Sequence, residues 1–196
     1  ADKSVVANSM SERKATMVLF NTEPELRAAF ANTDLRTADL SMQDLRANEC
    51  PVEGDEDYMA HRTRDASFEE IIHPVHDYGI KPALPQMQDA LREIDAEATA
   101  RGIWRGWPDD EVENHPNEYL GVINDNYLDL WTVLPTVYEG RPIEDDSIPA
   151  GHTHFGRYGA RGREGMRATD PKALAIVQEF FPPFLTYNPH LPIDFE

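Results

Sequence analysis

The sequence predicts an α+β protein that is mainly helical, with a small β component near the start of the chain. Apolar residues recur at helical spacing in several segments, and proline and capping signals mark where those segments begin. One short run, Ala15–Phe20, has instead the composition of a buried strand. With 196 residues, the chain has the length of one domain. We therefore expect a flexible polar segment over residues 1–14 and a single domain over residues 15–196.

Short helices are predicted in the first part of the chain. The run Thr22-Glu23-Pro24-Glu25 is a capping box with an early proline, which predicts a helix that reaches about Asn32. Residues 41–44, which read SMQD, are typical of another short helix start. A third helix is expected to begin at Ser67, where a polar residue precedes two acids and an apolar run.

Longer helices are predicted in the remainder of the chain. One begins near Pro85 and stops at Gly102, a second runs from about Pro116 through Trp131, and the last covers residues 172–181. Each carries an apolar stripe at helical spacing, which identifies the side expected to face the core. The residues expected on these buried sides are Met87, Ala90, Leu91, Ile94, Ala98, Leu120, Ile123, Tyr127, Leu130, Leu134, Leu174, Val177 and Phe181.

Composition excludes several classes of partner. The chain has 36 acidic and 18 basic residues, a net charge of −18, which argues against binding to the phosphates of DNA or RNA. No apolar run approaches the roughly 20 residues of a membrane-spanning helix. Cys50 is the single cysteine, so the chain has no internal disulfide and no thiolate cluster for a metal. Because the chain opens Ala-Asp-Lys-Ser without Met, as after signal cleavage, we expect a secreted or periplasmic protein.

The stretch from Ser67 carries the chemistry of the chain. On a helix, Glu69 and His73 lie one turn apart on one face, and Glu70 is adjacent. Two ligands at this spacing, with a neighbouring Glu to activate water, form the helix of many zinc enzymes. The alternative is structural: Ser67 and Glu70 also fit a capping box at a helix start. Pro74 lacks an N–H, so we expect the helix to bend there.

Residues outside this helix could complete or support a metal site. Glu118, near the start of the helix at Pro116, is the candidate third ligand, or else an acid that favours the helix dipole. Asp77 could orient an imidazole, or cap the turn at Gly79, and we expect His76 on the solvent side. His152 and His154 lie in a glycine-flanked loop and form either a flexible polar segment or a separate copper or calcium site.

A family resemblance joins these residues. Residues 69–78, which read EEIIHPVHDY, resemble the active-site helix of the anthrax lethal factor-like metallopeptidases, and residues 117–121, NEYLG, resemble the helix that carries that family's third ligand. The resemblance covers about a third of the chain, between Tyr58 and Trp131. It implies a zincin-like domain in which His73 and Glu118 bind a divalent metal, zinc in the first instance, and Glu70 activates its water.

The sequence departs from the family pattern at one ligand. Glu69 stands where the family has its first His, which adds negative charge and weakens selectivity for zinc. We therefore carry two hypotheses. In the first, the chain is a secreted zincin-like metal-binding protein that hydrolyses a peptide or protein substrate through a metal-bound water. In the second, it is a catalytically inactive binding or structural protein, a pseudo-enzyme on the same scaffold, with or without a metal. His61, His152 or His154 could supply a nitrogen ligand from elsewhere.

Overall fold

A computed structural model of the chain describes residues 3–50, 66–107, 114–128, 130, 137–138, 141–142, 153 and 156–182. The fold is mainly helical with a small parallel sheet near the start of the chain, which confirms the predicted α+β class at this level. Among the helices in these ranges, none combines the length and the apolar character needed to span a membrane. The zincin-like arrangement stays a prediction.

The first part of the chain contains two helices and the parallel sheet. The elements are α1 (Lys3–Glu12), β1 (Ala15–Phe20), α2 (Glu23–Asn32) and β2 (Ser41–Arg46), with 3₁₀ turns at Asp34–Thr37 and Ala47–Glu49. The predicted cap of α2 is present, since the Thr22 side chain accepts a hydrogen bond from the Glu25 N–H at 3.4 Å. β1 and β2 pair in parallel with Ala15 opposite Ser41.

The described residues of the second part form mainly helices, together with a short hairpin. The elements are α3 (Ser67–Pro74), a π-helical turn (Val75–Ile80), a helical turn (Lys81–Ala83), α4 (Pro85–Ala100), α5 (His115–Tyr127), β3 (Val137–Tyr138) antiparallel to β4 (Arg141–Pro142), α6 (Gly162–Thr169) and α7 (Pro171–Phe180). α4 ends as predicted, because Gly102 adopts a positive φ of 70° just beyond it. Where the sequence predicts a bend at Pro74, α3 passes directly into the π-helical turn.

The flexible segment expected over residues 1–14 is replaced by an ordered helix over most of its length. α1 buries Val6 and packs on the π-helical turn, where the Ser9 hydroxyl donates to the Tyr78 carbonyl oxygen at 2.8 Å. A β-carbon at Gly79 would lie 2.6 Å from Val6 Cγ1, so a glycine is needed for this close approach. The sequence missed α1 because its mostly polar residues carry a weak apolar stripe, and its packing depends on a distant partner.

Three further predictions are corrected. Residues 41–44 begin strand β2 rather than a helix, because pairing with β1 overrides the local helix-start signal. β1 is half-buried rather than buried, and Leu19 is 70% exposed. The helix predicted to run through Trp131 ends at Tyr127. Helix α6 was not predicted at all, since its glycines favour irregular structure.

The core surrounds α5, which is buried on nearly every side. Tyr127, which was expected on the buried side, and Tyr119 are both fully buried. Trp104 and Tyr158 pack around Tyr119 with ring centroids 6.0 and 6.3 Å away. The hydroxyls of Tyr119 and Tyr158 both donate to Asp170 Oδ2, at 2.5 and 3.1 Å. Each fully buried aliphatic side chain adds about 1.5–3 kcal/mol to such a core. The position of α5 is therefore strongly fixed.

α3 packs directly against α5, and one glycine permits the close approach. A β-carbon at Gly121 of α5 would lie 2.8 Å from Glu69 Cγ, 3.4 Å from His73 Cε1 and 3.6 Å from the Glu69 carbonyl oxygen. Atoms cannot approach this closely without displacement, and the Glu69 side chain is buried. Gly121 therefore sets the separation between the two helices at the height of Glu69 and His73.

We expect Gly121→Ala to destabilise the protein by about 1–3 kcal/mol, because the added methyl group overpacks the interface between α3 and α5. The free energy of unfolding, measured by urea denaturation, tests this. Alanine in a helix ordinarily stabilises a protein by about 0.5–1 kcal/mol relative to glycine. The expected loss of stability is therefore opposite in sign to the effect of intrinsic helix propensity.

Gly165→Ala is the matched control. This glycine lies within α6, and a β-carbon there would meet its nearest atom, the Ala160 carbonyl carbon, at an ordinary 3.4 Å. We expect unchanged or increased stability for this variant. Equal stability of Gly121→Ala and the wild type would show that the approach of α3 to α5 is not tight.

Candidate metal centre

The start of α3 places two acids beside each other without a capping box. The helix begins at Ser67 with Ala66 as its N-cap, and the Glu70 N–H donates to the Ala66 carbonyl oxygen at 3.0 Å. Ser67 is therefore inside the helix and is not the N-cap that the capping-box interpretation requires. The Glu70 carboxylate instead accepts a hydrogen bond from Gln43 Nε2 of β2 at 3.2 Å. The structural alternative for Glu70 is not supported.

The three residues predicted as metal ligands converge. Glu69 and His73 come from α3 and Glu118 comes from α5, and each contributes one ligand atom to a group whose atoms lie within 4.8 Å of one another. His73 Nε2 lies 3.8 Å from Glu118 Oε2. Glu69 is 4% exposed and His73 is 5% exposed, while Glu118 is partly exposed. The three side chains singled out from the sequence therefore lie close together in the structure.

Glu70 lies at the edge of this group. Its Oε2 is 4.0 Å from His73 Nε2. Burial raises the pKa of Glu70, His73 lowers it, and the neighbouring carboxylates of Glu49 and Glu118 raise it, so that the net pKa is above the ordinary value for a carboxyl. A carboxylate with a raised pKa is better able to take up a proton from water near neutral pH.

His73 is held on both sides of its ring. Its Nδ1 lies 3.1 Å from Asn117 Oδ1, and its Nε2 faces the carboxylates. Burial alone would lower the pKa of His73, but the charges of Glu118, Glu70 and Glu69 outweigh it and raise this pKa above 6.5. In the absence of a cation, the imidazole thus keeps its second proton to a higher pH than an ordinary histidine does.

A chain of polar contacts continues behind His73. Asn117 Nδ2 donates to Asp77 Oδ2 at 3.1 Å, and Asp77 Oδ1 lies 3.3 Å from His76 Nδ1. His76 Nε2 in turn contacts Gln88 Oε1 of α4 at 2.5 Å. The expectation that His76 faces solvent is wrong, because the ring is only 2% exposed and belongs to this chain. Of the two roles considered for Asp77, the structure places it where it supports an imidazole through Asn117.

Strand β2 holds the start of α3 in place. The Tyr78 hydroxyl donates to the Met42 carbonyl oxygen at 2.9 Å, and the Ala66 N–H donates to the Glu49 carbonyl oxygen at 3.1 Å. Glu49 is almost fully buried and pairs with Arg46 at 2.6 Å. These contacts hold β2 and the 3₁₀ turn that follows it against the N-cap of α3 and the π-helical turn beyond its end, and so keep Gln43 close to Glu70.

The sequence did not identify Asn117, Gln43 or Gln88 as residues of the site. Asn117 directly precedes Glu118, and this neighbouring position could have indicated that it belongs to the site. An amide side chain by itself, however, matches no sequence pattern of metal ligands. Gln43 and Gln88 come from separate elements, and residue spacing in the sequence cannot predict how those elements pack. His61, His152 and His154 lie outside the described residues, so their proposed contributions stay predictions. Cys50 is half-buried and forms no disulfide.

The donor set and its charge fit a divalent cation. Atoms that bind one ion at about 2.0–2.2 Å are separated from each other by about 3–4 Å. The 3.8 Å between His73 Nε2 and Glu118 Oε2 lies in this range, and the full group, whose atoms lie within 4.8 Å, would close slightly around an ion. The three carboxylates of Glu69, Glu70 and Glu118 meet a single imidazole, which leaves excess negative charge in a largely buried place. A divalent cation would balance this negative charge.

Comparison with models of protein families, with curated proteins and with solved structures finds no match to this chain. The function proposed for the site therefore depends on its own residues and geometry.

We expect the metal-free protein to lose stability as the pH rises above about 6.5, the ordinary pKa of His73. A group whose pKa is higher in the folded state contributes stability that is complete below its unfolded pKa and disappears above its folded pKa. The pKa of Glu70 is also raised, from an ordinary value of 4.5, so Glu70 likewise contributes stability that is lost as the pH rises.

Thermal unfolding across this pH range in the presence of a chelator measures the effect, and His73→Gln should flatten the part of the curve above pH 6.5. A wild-type midpoint that rises with pH over the same interval would contradict the prediction.

Proposed function

We propose that this protein binds a divalent cation with Glu69, His73 and Glu118 and acts as a zincin-like metallopeptidase. The observation that carries the proposal is the convergence of two carboxylates and one buried imidazole from separate helices on a single point, with Glu70 beside it. The resemblance of residues 69–78 and 117–121 to the lethal factor-like metallopeptidases supports the same function. The substrate class is a peptide or protein, and the secreted or periplasmic location stays a prediction.

A divalent cation bound at this point would polarise a water molecule and the carbonyl group of a substrate. The chain itself contributes the proton acceptor. Glu70 Oε2 is held by Gln43 Nε2 on the side of His73 Nε2, so its carboxylate faces the space that the ligands enclose. Glu70 would take the proton of the attacking water and deliver it to the leaving amine. The raised pKa of Glu70 favours this exchange at neutral pH.

A second candidate function is cation binding without catalysis. It is favoured by Glu69, which makes the ligand set more anionic than two histidines and one carboxylate would be. More of the cation's charge is then neutralised, so a bound water would be a weaker acid. Such a donor set also suits harder cations than zinc, including calcium. The two functions share the ligands and differ only in whether Glu70 is needed.

Three variants separate these functions. We expect Glu118→Gln to weaken cation binding by more than the roughly 10–100-fold that loss of a supporting residue costs, because it removes a ligand charge. We expect Glu70→Gln to retain the cation while cleavage falls by about 10²–10⁴-fold, the usual contribution of a general base. Elemental analysis after dialysis gives the metal content, and casein cleavage with and without chelator gives the activity.

Glu93→Gln is the matched control, since Glu93 is an exposed acid on α4 away from the ligand group. It should leave both metal content and cleavage unchanged. A protein that holds metal but shows no chelator-sensitive cleavage would favour the non-catalytic function. Wild-type protein with no bound metal after incubation with zinc, manganese or calcium would rule out both.

A further inference from the structure

Asn117 connects the buried imidazole of the metal centre to a carboxylate that is not one of the ligands. Its Oδ1 lies 3.1 Å from His73 Nδ1, and its Nδ2 lies 3.1 Å from Asp77 Oδ2. Because Asn117 directly precedes Glu118 on α5, one turn of helix carries both a ligand and the group behind another ligand. The orientation of its amide therefore has consequences for the site.

The partner at Asp77 determines that orientation. A carboxylate has no hydrogen to donate, so the atom of Asn117 that faces Asp77 must be the amide nitrogen. The amide oxygen then necessarily faces His73. An amide oxygen only accepts hydrogen bonds, so the His73 atom opposite it, Nδ1, must carry the proton.

Asp77 is itself anchored as a charged carboxylate. Its Oδ1 lies 3.6 Å from Lys81 Nζ and 3.3 Å from His76 Nδ1. Burial alone would raise the pKa of Asp77, but His76, Lys81 and His73 outweigh it and hold this pKa below its ordinary value. The His76 ring is in turn fixed by Gln88 of α4. The π-helical turn thus positions Asp77 so that its carboxylate accepts a hydrogen bond from Asn117.

The other ring nitrogen has the opposite requirement. With a proton on Nδ1, a neutral His73 has a bare lone pair on Nε2, which faces Glu118 Oε2 at 3.8 Å and Glu70 Oε2 at 4.0 Å. A lone pair and carboxylates repel one another unless a positive charge lies between them. Without Asn117, the ring would be expected to place its proton on Nε2, where those carboxylates would accept it.

We propose that Asn117 is a positioning residue that, oriented by Asp77, holds neutral His73 in the Nδ1–H tautomer and thereby keeps Nε2 free to bind a cation. The part that concerns cation binding rests on the function proposed above. The part that concerns the tautomer does not, because it is a property of the metal-free protein.

Nitrogen-15 NMR of the histidine rings in metal-free protein, at a pH alkaline enough to keep His73 neutral, reads the tautomer directly. The His73 signals are assigned by their loss in His73→Gln. We expect the Nδ1–H form in the wild type and in Asn117→Asp, which keeps an acceptor behind the ring. We expect the Nε2–H form in Asn117→Leu, which has none, and a mixture in Asp77→Asn, whose amide allows either orientation of Asn117.

A second measurement distinguishes the inference from the proposed function. Calorimetric titration with Zn²⁺ alone should show affinity reduced by roughly 10–100-fold in Asn117→Leu, as for other groups that orient a ligand, and largely restored in Asn117→Asp. Wild-type His73 in the Nε2–H form, or no change of tautomer in Asn117→Leu, would overturn the inference even if zinc binds. The expected tautomers together with no zinc binding by the wild type would uphold the positioning role and refute the metal function.

Discussion

The organisation of the site follows from the close approach of α3 to α5. It brings the carboxylates of Glu69 and Glu118 and the ring of His73 together in a place largely closed to water. Such an approach is possible only where one helix lacks a side chain, and Gly121 provides that position. The same contact that permits tight packing also gathers negative charge, which a well-packed apolar interface would avoid. The interface therefore combines close packing with a concentration of acidic groups.

The elements around the site keep the helices that carry these acidic residues from moving apart. α5 is anchored by its buried aromatic residues and by the hydrogen bonds of Tyr119 and Tyr158 to Asp170, so Glu118 cannot move away without disturbing the core. On the other side, Gln43 of β2 contacts Glu70 of α3, and Met42 and Glu49 hold the π-helical turn and the N-cap of α3. Because the backbones of both helices are held, these carboxylates stay close together, and the raised pKa values of His73 and Glu70 reflect that concentration of charge.

The π-helical turn after Pro74 links this charged site to its supporting residues. The Lys81 N–H donates to the carbonyl oxygen of His76, five residues earlier, which widens the helix by about one residue per turn. In this turn His76 is buried against Gln88, while Asp77 reaches Asn117 and Gly79 receives α1. One local irregularity therefore serves both the orientation of an imidazole and the docking of the first helix.

Local sequence patterns were enough to place Glu69 and His73 on one helix face, Glu118 on a second helix, and most helices in the chain. These follow from short-range rules, since helical periodicity and proline or capping signals act within a few residues. The three-dimensional fold was needed to show that residues 41–46 form a strand, that α1 forms, that His76 is buried and that Asn117 stands behind His73. Each of these features depends on a contact with a residue distant in the chain. Local patterns in a single sequence do not show which distant residues come into contact.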